Sequence, residues 1–180
     1  KLNIRVIEKN LKRKILIPNQ LLEILYLIYK IKPDVIQTWL YISDIIGGIF
    51  GRLLGFKNII WTIRHDINSN SEFKEKFLVR FLGLLSSKIP KAIIGCSRVA
   101  AENHIKYGYS ENKIYIINNG VDIKRFKPDI FVRKKLISQY KVQNEDVIFG
   151  MVARYAKIKN HKLLFQALSI LKGKNIKFKC

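Results

Sequence analysis

Short apolar runs alternate along the chain with longer segments in which apolar residues recur every three or four positions. Short runs rich in isoleucine are typical of strands buried on both faces of a parallel sheet, whereas the longer period is that of an amphipathic helix. The short runs predict strands over residues 34–39, 58–63, 92–96 and 114–117. The intervening segments predict helices over residues 18–32, 42–55, 71–87 and 98–107.

A second, shorter series begins beyond a turn-rich stretch. Residues 118–122 and 127–129 contain the Asn, Gly, Asp and Pro that mark turns. The pattern then predicts a helix over residues 130–140, a strand over 146–153, a helix over 160–171 and the beginning of a strand at 176–178. Strands that alternate with helices predict an α/β fold with Rossmann-like parallel sheets.

We predict a domain boundary between residues 128 and 129. Residues 1–128 would form most of a Rossmann-like domain that lacks its first strand or strands, and residues 129–180 would begin a second one. A single βα turn cannot bury its own faces, so we expect the chain to be a fragment of a longer protein. We expect the fragment to be inactive by itself.

Polar residues follow the predicted strands. Ligands of parallel α/β sheets bind beyond the carboxyl ends of the strands, so these residues are candidates for a binding cleft. Arg64 and His65 follow the second strand, Ser97 follows the third, and Gly120 follows the fourth. Ser97 is also expected to cap the next helix, and Gly120 is expected to form a turn with positive φ.

Three further aromatic or imidazole side chains have structural interpretations. Trp39 and Trp61 are expected to belong to the core or to the cleft wall. His104 lies in the middle of a predicted helix and is expected to be exposed.

Composition narrows the class of partner. Apolar residues make up 48% of the chain, enough for a real core. The net charge of +21, from 34 Lys and Arg against 13 Asp and Glu, favours an anionic partner such as a phosphorylated ligand, an anionic membrane or a nucleic acid. Cys96 and Cys180 form neither a disulfide framework nor a metal-binding pattern. The apolar stretches are too short or too interrupted by charge to span a bilayer.

The predicted helix over residues 71–87 has two open interpretations. Its apolar residues Phe73, Phe77, Phe81 and Leu84 share one face, beside Lys74, Lys76, Arg80 and Lys88. Such a helix can lie on an anionic membrane, where lysines and aromatic rings both contribute to binding. It can equally be an ordinary helix that packs on the sheet and exposes its charged face.

Three segments, in order, resemble motifs of family 4 glycosyltransferases. They are W-T-I-R-H at residues 61–65, I-I-N-N-G-V-D-I-K-R-F-K-P at 116–128 and V-A-R-Y-A-K-I-K-N-H at 152–161. The first is similar to the version found in enzymes of O-antigen and capsular polysaccharide synthesis. Two positions depart from the family pattern, since Ala153 and Asn160 stand where the family has glycine.

The resemblance implies a GT-B architecture and retaining transfer of a sugar from a nucleotide-sugar donor to a lipid-linked or saccharide acceptor. It implies that Arg154 and Lys159 bind the donor diphosphate, with Asn160 at the same turn, and that His65 lines the donor sugar and acceptor. Cations fixed at the diphosphate stabilise the charge that grows there as the glycosidic bond breaks, so no metal ion or other cofactor is expected. Arg64, Ser97 and Gly120 are assigned to the acceptor side of the cleft.

The expected location is the cytoplasm, with peripheral attachment to the inner face of the cytoplasmic membrane left open. Two rival functions remain. The charge alone would allow a basic nucleic-acid-binding module, although no nucleic-acid motif is present and we expect no such partner. A GT-B nucleotide-sugar epimerase is the second rival.

Overall fold

The computed structural model describes residues 4–7, 18–67, 71–143 and 146–180. The chain divides into two compact units, Lys1–Gly120 and Val121–Cys180, called unit 1 and unit 2 below. The division lies inside the turn-rich stretch of the sequence, between Gly120 and Val121. The predicted domain boundary, between residues 128 and 129, is slightly further along the chain.

Unit 1 is built on a parallel sheet. Its strands follow chain order across the sheet and are β1 (Ile36–Gln37), β2 (Ile59–Ile63), β3 (Ala92–Gly95) and β4 (Ile114–Ile116). Each lies within one of the four predicted segments. Because all four strands run in one direction, their carboxyl ends lie along the same edge of the sheet.

Helices connect these strands. They are α1 (Pro18–Ile31), α2 (Tyr41–Ser43), α3 (Gly51–Leu53), α4 (Phe73–Ser86) and α5 (Arg98–Lys106), with a 3₁₀ turn at Glu111–Lys113 before β4. A π-helix, Asp44–Phe50, joins α2 to α3, so the helix predicted over residues 42–55 is one helical segment with an expanded middle. Gly48 in this π-helix lies against Trp61, and a Cβ there would be 2.3 Å from the indole nitrogen. This segment therefore packs closely on the sheet.

The core of unit 1 lies between the sheet and its helices. Trp61 on β2 is fully buried, so its interpretation as a core residue is confirmed. The fully buried apolar side chains around it include Ile59, Ile67, Val79, Leu82 and Ile93.

The orientation of α4 is a finding that the sequence left open. Its buried residues are Val79, Leu82, Gly83 and Ser86. The aromatic face is turned away from the core, with exposures of 82% for Phe73, 70% for Phe77, 44% for Phe81 and 71% for Leu84. Gly83 makes this packing possible, because a Cβ there would be 2.4 Å from the carbonyl oxygen of Tyr107. The helix α4 thus packs on the core and exposes Lys74 and Arg80, but the face that packs is not the aromatic one.

Unit 2 is smaller. It contains α6 (Ile130–Gln139), β5 (Val147–Ile148), a 3₁₀ turn (Lys157–Lys159), α7 (His161–Gly173) and β6 (Phe178–Lys179), and β5 pairs with β6 in parallel. The predicted order of elements is confirmed, but the strand predicted over 146–153 is only two residues long. The strand β5 ends at Ile148 because its two residues pair with the two residues of β6, Val147 with Phe178 and Ile148 with Lys179.

Gly120 corrects a prediction. Glycines with positive φ among the described residues are Gly55 and Gly108, and Gly120 is not one of them. The turn is made further along by Asp122, whose side-chain oxygen accepts hydrogen bonds from the backbone nitrogens of Lys124 (3.0 Å) and Arg125 (3.1 Å). Aspartate stabilises such a turn through its own side chain, so the preceding glycine does not need a left-handed conformation.

Candidate functional site

Arg64 and His65 leave the carboxyl end of β2 side by side and are both partly buried. The guanidinium carbon of Arg64 lies 4.5 Å from the ring centre of Trp39, which follows β1. A cation over an indole face is attracted by the ring quadrupole, and this contact holds the long arginine side chain in place. Trp39 is 52% exposed, so its interpretation as a wall at the sheet edge fits its position.

His65 is held from two directions. Its Nε2 lies 2.8 Å from Oε1 of Glu75, which comes from the first turn of α4. Its ring also meets the ring of Tyr41 edge-on, with the ring centres 5.0 Å apart and the planes at 62°. The imidazole therefore has a defined orientation at the edge of the sheet.

Tyr41 is itself fixed by a buried histidine. Its hydroxyl lies 2.8 Å from Nε2 of His104, and Nδ1 of His104 lies 2.7 Å from the carbonyl oxygen of Ala100. A carbonyl can only accept, so Nδ1 of His104 donates, and burial lowers the pKa of His104, which keeps the ring neutral. Nε2 then accepts from the Tyr41 hydroxyl. Burial also raises the pKa of Tyr41, so its hydroxyl stays protonated.

His104 is a correction. It was expected to be exposed, but its side chain is fully buried. The tyrosine that satisfies it comes from α2, far away along the chain, and this partner allows an imidazole to be buried in the middle of α5.

Asp44 is a second buried polar group near the same edge. It is 3% exposed, and its carboxylate accepts a hydrogen bond from the hydroxyl of Thr38, which follows β1. Burial raises the pKa of Asp44 to about 7, and the Thr38 hydrogen bond opposes that rise. Asp44 is the first residue of the π-helix, and short π-helical segments within helices occur frequently at functional sites.

Ser97 caps α5 as predicted. Its hydroxyl accepts a hydrogen bond from the backbone nitrogen of Ala100 at 3.2 Å. The side chain of Asp66, which follows His65, accepts a hydrogen bond from Asn103 of α5 at 2.8 Å. The contribution of Ser97 to an acceptor site remains a prediction, as does that of Gly120.

The other candidate residues lie in unit 2, in the segment that leads into α7. Arg154 and Lys159 are both exposed there. Asn160 has a left-handed backbone, with φ of 50° and ψ of 48°, and its side chain accepts a hydrogen bond from the backbone nitrogen of Leu163 at 3.3 Å. Asparagine tolerates this conformation, so the turn forms without the family's glycine. Arg154 and Lys159 precede the start of α7 along the chain, and the backbone N–H groups at a helix start can bind an anion.

His161 begins α7 and stacks at a tilt against Tyr155, with ring centres 5.3 Å apart. Both residues line a shallow cavity of about 490 Å³ with Lys162, Phe165, Gln166 and Ser169. The cavity is next to the proposed diphosphate site along the chain.

Arg64 and His65 are consecutive residues of unit 1, and Arg154, Lys159 and Asn160 belong to one segment of unit 2. Sequence reasoning missed Tyr41, Asp44 and Glu75. A signal for Glu75 was present, because Glu75, Val79 and Leu82 share one helical face and an acidic residue on a buried face needs a partner. The partners of Tyr41 and Asp44 depend on the fold.

Within the described residues, no helix has the length and apolar character needed to cross a membrane. In the same part of the chain, no cluster of three His, Cys, Asp or Glu side chains is arranged to hold a metal ion. The expectation that no metal is needed stays a prediction.

Comparison with known families gives a match over most of the chain. The sequence model of Glycosyltransferase Family 4 matches residues 3–125, which include all of the sheet of unit 1 and the Arg64–His65 edge. A curated protein of Escherichia coli, UDP-Gal:alpha-D-GlcNAc-diphosphoundecaprenol alpha-1,3-galactosyltransferase, is 26% identical over 161 residues. The match covers 87% of this chain and 41% of that relative, so the chain spans well under half of the relative's length.

Solved structures share the fold. The crystal structure of Anabaena Alr3699/HepE in complex with UDP and glucose aligns with a TM-score of 0.70 and 17% identity, over 83% of this chain and 39% of the other. The complexes of the same protein with UDP and with UDP-glucose align with TM-scores of 0.65 and 0.63 at 17% and 16% identity, each over 89% of this chain and 51% of the other. The expected GT-B type of α/β fold is confirmed.

Proposed function

The chain belongs to Glycosyltransferase Family 4, and from this premise we propose that the protein transfers a sugar, with retention, from a nucleotide-sugar donor to a lipid-linked acceptor. The observation that carries the proposal is the match of residues 3–125, which contain the polar sheet edge at Arg64 and His65. The curated relative acts on a diphosphoundecaprenol-linked acceptor, which favours the lipid-linked class and a role in cell-surface polysaccharide synthesis.

In this proposal the donor diphosphate binds at the start of α7. The positive end of the helix dipole and the unpaired N–H groups of the first turn attract an anion, and Arg154 and Lys159 add two full charges. Negative charge increases on the β-phosphate as the glycosidic bond breaks. The two cations therefore stabilise the transition state more than the bound donor, and no metal ion is required for that step.

His65 is proposed to hydrogen-bond a hydroxyl of the donor sugar or the acceptor. A histidine held at the carboxyl end of a parallel strand occupies the place where ligands of such sheets bind. Arg64 is proposed to attract an anionic acceptor, such as one that carries a diphosphate. No carboxylate of the described residues pairs with its guanidinium, which Trp39 holds from one face only.

The donor test compares nucleotide sugars with the full-length protein. UDP-galactose and UDP-glucose come first, because the relative and the solved structures carry uridine nucleotides in their names. We expect release of UDP and a glycosylated product only when a polyprenyl-diphosphate-linked sugar is present, with equal rates in EDTA. Failure of every nucleotide-sugar donor to react would contradict the proposed function.

The diphosphate site is tested by Arg154→Ala and Lys159→Ala. Each variant should lose about a hundredfold or more in kcat, because a charge that acts in the transition state is removed. Arg52→Ala and Lys172→Ala are matched controls, since both side chains are exposed and lie outside the candidate sites. Turnover by the two site variants at the rate of the controls would exclude this diphosphate site.

A membrane surface is the proposed location of the reaction. The exposed aromatic stripe of α4 is flanked by the exposed cations Lys74, Arg80 and Lys88, and the net charge of the chain is +21. Rings can enter the interface between headgroups and acyl chains while the cations bind anionic headgroups, at about 1 kcal/mol for each cation. This face of α4 would bring the sheet edge close to a lipid-linked acceptor.

Vesicle sedimentation tests the membrane contact. The full-length protein should bind vesicles that contain phosphatidylglycerol and should not bind pure phosphatidylcholine. Exchanging Phe73 and Phe77 together for Ser should weaken binding about tenfold or more, whereas Leu53→Ser, at a residue that is 75% exposed, should not. Salt-sensitive binding to unrelated DNA, with no preference for vesicles, would instead favour a nucleic-acid partner.

A further inference from the structure

Glu75 is the strongest unexplained feature of the sheet edge. It lies on the core-facing side of α4, with Val79 and Leu82 one and two turns further along the same face. Its carboxylate meets Nε2 of His65 at 2.8 Å, and the two side chains are 32% and 40% exposed. A half-buried carboxylate in contact with an imidazole restricts which ring nitrogen of that imidazole carries the proton.

We propose that Glu75 is a positioning residue that holds His65 in the tautomer with its proton on Nε2 and its lone pair on Nδ1. This inference rests on the proposed function only in what it says about substrate. The geometry on which it stands, a carboxylate against one named ring nitrogen, is independent of that function.

The hydrogen-bond chemistry determines the tautomer. A carboxylate is an acceptor only, so a hydrogen bond to Glu75 requires a proton on Nε2 of His65. In a neutral imidazole, the other nitrogen then carries the lone pair. Nδ1 becomes the nitrogen that is available to a ligand at the sheet edge.

Tyr41 fixes the angle of the ring. Its own ring meets His65 edge-on at 5.0 Å and is anchored by the hydrogen bond from its hydroxyl to the buried His104. The charged or polar groups that face this pair are Glu75 from α4, Asp44 from the π-helix, Asp66 after β2 and His104 from α5. Of these, the carboxylate of Glu75 is the one in hydrogen-bond contact with the His65 ring.

The tautomer predicts what His65 can recognise. A lone pair on Nδ1 accepts a hydrogen bond, so the ligand group opposite must be a donor such as a sugar hydroxyl. A phosphate or carbonyl oxygen has no proton to donate, so it cannot hydrogen-bond to this lone pair while the ring is neutral. His65 therefore selects for a hydroxyl at that position, and a donor analogue that lacks it should lose the benefit of the histidine.

Nitrogen NMR of the full-length protein labelled with ¹⁵N-histidine tests the tautomer directly. At mildly alkaline pH, His65 should show a protonated Nε2 and an unprotonated Nδ1, assigned by comparison with His65→Ala. Glu75→Ala should give averaged shifts of two exchanging tautomers. Glu72→Ala is the matched control, since Glu72 is exposed at the start of the same helix and makes no side-chain cap.

Kinetics give the second readout. Glu75→Ala should lower kcat/KM about tenfold to a hundredfold through loss of orientation, and Glu75→Gln, which keeps an acceptor oxygen, should recover most of that loss. Circular dichroism and melting checks that each variant is folded. A deoxy donor that lacks the recognised hydroxyl should react equally slowly with wild type and Glu75→Ala.

The proposal is overturned if His65 carries its proton on Nδ1 in the wild type, or if Glu75→Ala matches Glu72→Ala in both shifts and turnover. If the wild type transfers no sugar from any donor, the proposed function fails, and the NMR comparison still decides the role of Glu75.

Discussion

The two units of the chain bury their apolar side chains to very different degrees. In unit 1 the side chains of Ile59, Trp61 and Leu82 are fully buried, and residues of α4 and α5 pack with the strands in the core. In unit 2, among the described residues, Leu168 at 7% exposure is the one apolar side chain that counts as buried, and α6 buries none. Tyr155 is 94% exposed.

The difference comes from the number of strands available for packing. The parallel sheet of unit 1 has four strands, whereas that of unit 2 has two short ones. Two strands give α6 and α7 too little apolar surface to cover, since independent stability usually needs three or more strands. The buried carboxyl and imidazole side chains of the described residues, Asp44 and His104, both belong to unit 1, because such a group can be desolvated only where a core exists.

The largest expected effect is a loss in the free energy of unfolding, which we compare at two leucines, one in each unit. Leu82→Ala in α4 removes a fully buried side chain and should lower the free energy of unfolding of the 180-residue chain by about 3 kcal/mol. Leu163→Ala in α7, at 59% exposure, should change it by less than about 0.5 kcal/mol. Urea unfolding measures both. Equal costs would show that the contrast between the units is wrong.

The next effect is the pH dependence due to Asp44. Its carboxyl has a pKa raised by burial from 3.8 to about 7, so between these values the folded chain binds a proton that the unfolded chain has released. The free energy of unfolding therefore falls as pH rises through this window, by about 2 kcal/mol between pH 5 and pH 7. Asp44→Asn should remove this part of the slope. Asp129→Asn, at an exposed cap in unit 2, should leave it unchanged.

The smallest expected effect is the loss of stability when a tyrosine hydroxyl is removed, which depends on whether that hydroxyl has a hydrogen-bond partner. Tyr41→Phe leaves Nε2 of His104 without its donor and should cost about 1 to 2 kcal/mol. Tyr109→Phe should cost nothing, because its buried hydroxyl has no hydrogen-bond partner among the described residues. Tyr140→Phe, which is exposed in unit 2, should also be neutral. A large loss in Tyr109→Phe would reveal a buried water that bonds this hydroxyl.

The sequence predicted the elements of both units and the residues that follow the strands. It did so because buried strands have a continuous apolar pattern and because caps such as Ser97 are local interactions. The left-handed backbone of Asn160, which stands where the family has glycine, also has a local cause, since asparagine tolerates that conformation. Each of these properties depends on a few neighbouring residues.

Features that depend on distant contacts were not predictable in the same way. His104 is buried because Tyr41 reaches it from another helix, and no nearby residue signals that pairing. The two faces of α4 are both apolar in sequence, with Val79 and Leu82 on one and Phe73 and Phe77 on the other. The close approach of Gly83 to the turn at Tyr107 decides which face packs, and this contact exists only in the folded chain.

The helix α4 carries Phe73 on its outer side and, two residues later, Glu75 on its inner side. Because both side chains belong to one helix, a contact that shifts α4 on its outer side would also shift the carboxylate that contacts His65. If α4 contacts a bilayer as proposed, rates measured with a short water-soluble acceptor and with the same acceptor in a bilayer should differ. Specificity ratios taken from one assay format should not be transferred to the other.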